Sequence, residues 1–81
     1  MAPSDEWRRE DETLVRDLKF DDFQAAMAFV DRVAAAAEQA NHHPDILVHG
    51  WDNVRLTLTT PGAGRVTEND RAMAETIDGL V

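Results

Sequence analysis

Between residues 54 and 59 the chain alternates without a break, Val54, Leu56 and Leu58 apolar against Arg55, Thr57 and Thr59 polar. A strand with one buried face needs that pattern, because successive side chains point to opposite sides of the backbone. The short run before it, residues 46–49 (ILVH), is followed by residues 50–53 (GWDN), which favour a turn. Together they predict an antiparallel hairpin. Residues 13–20 (TLVRDLKF) are a weaker strand candidate, with Leu14, Leu18 and Phe20 on one face and Val15 on the other. Arg16 falls on the apolar face, which an edge strand tolerates. Residues 1–12 read as a polar N-terminal segment, apart from Trp7, which can anchor a short first strand.

The period changes after Phe20. Asp21 and Asp22 suit the N-terminus of a helix, and Phe23, Met27, Val30, Ala34 and Ala37 then recur at spacings of four, three, four and three. That is the stripe of a helix running to about residue 41. Pro44 disfavours the α conformation at His43 and so ends the helix before it. A loop at Pro61-Gly62-Ala63-Gly64 leads to Thr67-Glu68-Asn69-Asp70, a threonine followed three residues later by an acid, which predicts a capped last helix with Met73, Ile77 and Leu80 on its apolar side. The element order is β-β-α-β-β-α. It predicts an α+β fold, an antiparallel sheet with helices on one face, as a single domain over residues 13–81.

Eighty-one residues make a small core, burying only about 60% of the surface the unfolded chain exposes. Cysteine is absent, so added stability has to come from packing or from oligomerisation. Sixteen acidic against eight basic side chains give a net charge of −8. That charge disfavours direct binding to nucleic acid or to anionic membranes. Residues 1–6 lack the basic and apolar regions of a secretory leader, and a cytoplasmic location is expected.

The chemistry concentrates at Asn41-His42-His43-Pro44-Asp45. Imidazoles titrate nearest neutrality, and two of them at a helix–strand junction suit proton transfer. Glu38 lies four residues before His42 and shares its face if the helix extends that far. The alternative is a helix end whose histidines merely bond the last carbonyls. A metal held by Glu38, His42 and His49 is a weaker option, since neither His-Glu-x-x-His nor any cysteine spacing is present. Trp51 can stack on a flat heterocycle or simply pack. Asp70 can reach a ligand, yet its place in the capping box already gives it a structural task.

From Leu18 onwards the chain resembles the pterin-4a-carbinolamine dehydratases. The matching residues include Phe20, Phe23, Ala26, Phe29 and Val30, then Glu38-x-x-x-His42-His43-Pro44-Asp45, Trp51, Thr60, Gly64 and Val66-Thr67-x-x-Asp70. The resemblance implies a four-stranded antiparallel sheet with helices packed on one face, and a homodimer or homotetramer. The helix that usually precedes the first strand is expected to be missing. It further implies dehydration of 4a-hydroxytetrahydrobiopterin to quinonoid dihydropterin without a metal or organic cofactor. His42 and His43 would be the acid/base pair, Glu38 would orient His42, and Asp45, Trp51, Thr60 and Asp70 would contact the substrate. The family's third histidine is replaced by Pro61, and its usual glycine by Arg65. Proline has neither an ionisable group nor an N–H, so reduced activity is expected. The alternative is a dehydratase-like scaffold serving as a protein-interaction or assembly factor, as relatives do for a transcription factor and for Rubisco.

Overall fold

The computed structural model describes residues 3–81. Four strands form one antiparallel sheet: β1 (Arg8–Glu10), β2 (Thr13–Lys19), β3 (Asp45–His49) and β4 (Asn53–Leu58). The helices are α1 (Phe23–Ala40) and α2 (Glu68–Asp78). The strand order is β1-β2-β4-β3, so β1 and β3 are the edges. This is the expected α+β architecture. The sheet begins before residue 13, because Arg8, Arg9 and Glu10 pair with Val15, Leu14 and Thr13.

β4 behaves as its pattern requires: Val54, Leu56 and Leu58 are fully buried under the helices, while Arg55 lies exposed on the other face. β2 departs from expectation. It lies between β1 and β4 and is not an edge strand. Arg16 is tolerated there because its guanidinium pairs with Asp78 at the end of α2. Asp78 also accepts from the Trp7 indole at 2.8 Å and from the Ser4 backbone N–H at 2.8 Å. Trp7 is thereby held in the core cluster.

α1 starts where predicted. Asp22 is its N-cap and accepts from the Ala25 N–H at 2.7 Å, which satisfies one of the free donors of the first turn. Its buried stripe is Ala26, Phe29, Val33 and Ala37 rather than the expected Phe23, Met27, Val30, Ala34 and Ala37. Phe23 is 53% exposed and Ala34 is exposed, with Met27 and Val30 half-buried. The helix is turned by roughly a quarter turn from the sequence expectation. Phe29 and Val33, with Ala26 and Ala37 on the same stripe, turn to the core, whereas Phe23 at the first turn stays exposed. Asn41 ends the helix in the left-handed conformation (φ 52°), its N–H bonding back to Ala37 and Glu38. Among the described residues no helix is long and apolar enough to cross a membrane.

Candidate active site

The junction after α1 lies against the start of α2. The left-handed turn at Asn41 reverses the chain, and the His42 N–H still bonds the Ala37 carbonyl at 3.2 Å. That fixes His42 over the last turn of α1, where its Nε2 meets Asp70 Oδ1 at 2.5 Å. Asp70 is fully buried and the His42 side chain is 12% exposed. The second carboxylate oxygen, Oδ2, accepts from Thr60 Oγ1 at 2.6 Å and from the Thr67 backbone N–H at 2.8 Å. The hydroxyls of Thr60 and Thr67 are 2.7 Å apart. Of the two roles its sequence position allowed, capping is in place: one oxygen caps α2, and the other holds an imidazole where contact with a substrate was expected, since the carboxylate is fully buried.

Burial by itself would raise the Asp70 pKa, but donation from Thr60, His42 and the Thr67 N–H outweighs it and holds the carboxyl below its ordinary value. An ionised Asp70 accepts the proton on Nε2, which leaves Nδ1 as the acceptor of a neutral His42 ring. A buried carboxylate fixing the tautomer of an imidazole is the arrangement a general base needs.

His43 has a different environment. It pairs through Nε2 with Glu38, and both side chains are more than half exposed. Glu38 thus orients His43 and not His42, contrary to expectation. The reason is that α1 stops at Ala40, so His42 never reaches the helical position four residues after Glu38. The adjacent imidazoles have separate carboxylates, one buried and one in solvent.

The remaining candidates divide by position. Thr60 joins the Asp70 network, in a short bridge where its N–H bonds the Arg65 carbonyl at 3.2 Å. The Thr67 hydroxyl joins the same network, although the sequence reading gave it only a capping task; Thr60 and Thr67, on either side of a short loop, were the available signal. Pro61 and Arg65 are exposed in that loop. Asp45 pairs in register with Thr57, on the sheet face away from the helices. Trp51 is 67% exposed in the β3–β4 turn. Its turn and His49 lie at the opposite end of β3 from His43, so within one chain neither completes the site. No enclosed pocket forms among the described residues, so in the single chain the site is open. No three His, Asp or Glu side chains among them converge to hold a metal.

A four-stranded antiparallel sheet covered by two helices, with a carboxylate-bound imidazole between helix end and helix start, defines the class of protein. A family model described as "Pterin 4 alpha carbinolamine dehydratase" matches residues 1–80. A Thermomicrobium roseum protein named "Putative pterin-4-alpha-carbinolamine dehydratase" is 49% identical over 74 residues, 91% of this chain and 78% of its own. A Haloarcula marismortui protein of the same name is 42% identical over 76 residues, 94% and 82% of the two chains. A transcriptional coactivator/pterin dehydratase from Brucella melitensis superposes with a TM-score of 0.86 at 35% identity, over 94% of this chain and 82% of that one. A pterin dehydratase-like protein identified as a RuBisCO assembly factor in the alpha-carboxysome superposes at 0.73 with 28% identity, over 91% and 84%. The chain belongs to the pterin-4α-carbinolamine dehydratase family.

Proposed function

We propose that this protein dehydrates 4a-hydroxytetrahydrobiopterin to quinonoid dihydropterin in the cytoplasm, as a homodimer or homotetramer. The observation that supports this reading best is the buried Asp70 carboxylate holding His42 at 2.5 Å. His42 Nδ1 takes the proton from the pterin ring N–H, and the electron pair of that bond forms the new C=N bond. The C4a–O bond breaks as His43, oriented by Glu38, gives its proton to the departing hydroxyl, which leaves as water. Protons balance, no oxidant is consumed, and Asp70 stabilises the imidazolium formed on His42. Thr60 keeps Asp70 aligned and forms part of the polar wall.

Pro61 supports a slower reaction than three acid/base groups would give, since each such group contributes about 10²- to 10⁴-fold. The test is dehydration of carbinolamine generated in situ, followed by stopped-flow absorbance with wild type, His43→Ala and Pro61→His. Acceleration by wild type, loss in His43→Ala and at least a ten-fold gain in Pro61→His are expected. Absence of acceleration, with no difference between wild type and His43→Ala, refutes the enzyme. The second reading is then favoured, a dehydratase-like scaffold acting in protein assembly, for which Pro61 and the likeness to the assembly factor speak.

A further inference from the structure

We infer that Arg65 receives an anionic group on the side chain of the pterin, a phosphate or a carboxylate, so that the site prefers pterins carrying one to neutral biopterin. The inference rests on the dehydratase reading and deepens it by naming the substrate class.

Arg65 stands apart from the other cations of the chain. Sixteen acidic side chains face eight basic ones, so acids are available to pair with every base. Arg32 meets the Leu80 carbonyl at 3.4 Å, and the other basic side chains meet carboxylates. Among the described residues Arg65 alone has no acceptor, and it is exposed. Its guanidinium therefore keeps all its N–H donors for a ligand or for water.

The backbone fixes where that cation stands. Thr60 and Arg65 form an antiparallel bridge, the Thr60 N–H donating to the Arg65 carbonyl at 3.2 Å. The Thr60 carbonyl accepts from the Ala63 and Gly64 N–H groups at 3.2 and 3.1 Å, which ties the intervening loop to the same residue. Val66 is buried directly after Arg65 and anchors the chain there. Bridged residues send their side chains to the same side, with Cβ atoms about 4.5–5.5 Å apart. The Thr60 hydroxyl lies 2.6 Å from Asp70. Arg65 thus leaves the backbone on the side where Asp70 holds His42.

The donors nearest to it are already engaged. The Thr60 and Thr67 hydroxyls and the Thr67 N–H bond Asp70 or one another, and the proposed reaction places both imidazoles on the pterin ring system. Arg65 is left as the free donor beside Thr60 for a group on the side chain. A guanidinium matches phosphate or carboxylate with two parallel N–H···O bonds. The net charge of −8 opposes an anion at long range. That field is screened beyond about 8 Å at physiological salt, and a direct contact is screened far less.

Matched ligands test this by titration of pterin fluorescence: neopterin against neopterin monophosphate, and 6-hydroxymethylpterin against pterin-6-carboxylate. Wild type is expected to bind at least one anion about ten-fold more tightly than its neutral mate. A gain in the first pair alone assigns a phosphate at the end of the side chain, and in the second alone a carboxylate next to the ring. Arg65→Ala is expected to abolish the preference. Arg65→Lys keeps part of it, since an ammonium retains the charge but not the planar fork. Lys19→Ala removes the same charge at the other end of the sheet, where Lys19 pairs with Asn53, and is expected to leave the preference unchanged. Equal binding within both pairs, or a preference that survives Arg65→Ala, overturns the inference. A preference that falls as far in Lys19→Ala belongs to net charge and overturns it too. If no pterin binds, the dehydratase reading falls and this inference with it, whereas equal binding removes the inference alone.

Discussion

Two imidazole–carboxylate pairs stand next to each other in this protein, built from adjacent histidines, and they differ mainly in burial. His42 meets Asp70 with the carboxylate fully buried and held by three further donor contacts. His43 meets Glu38 where the side chains are 54% and 78% exposed. In water a charge pair gains little, because solvent competes for both partners and screens them. Buried, the same pair fixes geometry, and removing one member strands the others. The first pair therefore supports the fold as well as orienting a ring. The second orients its ring and adds little to the fold.

The largest effect that would separate them is on stability. Asp70→Ala leaves His42, the Thr60 hydroxyl and the Thr67 N–H without their acceptor, and is expected to cost about 3–5 kcal/mol by urea denaturation. Glu38→Ala should cost no more than about 1 kcal/mol. If the two variants lose equal stability, the contrast is wrong. On turnover the pairs should look alike: His42→Ala and His43→Ala each lose about 10²- to 10⁴-fold in kcat. They part again in stability, with about 1–3 kcal/mol lost for His42→Ala, which leaves a buried Asp70 oxygen bare, and about 0.5 kcal/mol or less for exposed His43→Ala.

Acid sharpens the comparison further. Asp70 has a lower pKa in the fold than in the unfolded chain. Its ionised form thus contributes stability that is complete above the unfolded value of about 3.9 and is lost as pH falls through the lower folded value. The stability gap between wild type and Asp70→Asn should shrink below about pH 4, as Asp70 takes up its proton. A gap that goes on widening below that pH would contradict it. The smallest effect is expected on the helix-free face of the sheet, where Asp17 is held at about 2 chiefly by the Arg55 hydrogen bond, against some burial and with help from Arg8. These groups are 41–45% exposed. Asp17→Asn should therefore change stability by less than about 1 kcal/mol and leave kcat unaltered.

What the sequence disclosed tracks how local each signal was. The alternation in β4, the Asp22 cap and the Thr67–Asp70 box are written within a few residues, and each is found in place. The rotation of α1 was not readable, because an alanine run offers no large residue to distinguish one face from the next. The interior position of β2 was hidden because Arg16 argues for an edge until Asp78, 62 residues later, is placed beside it. The site shows the same division. The histidine pair was visible by composition, but the partner of each ring depended on α1 ending two residues before His42, and on α2 arriving from 28 residues downstream.

Asp78 carries one more consequence, for the order of folding. It gathers Ser4, Trp7 and Arg16 from at least 62 residues earlier in the chain. A ribosome makes that carboxylate after all three, so the arginine and the indole have no anion to receive them until α2 is in place. One late side chain thus locks the hairpin of β1 and β2.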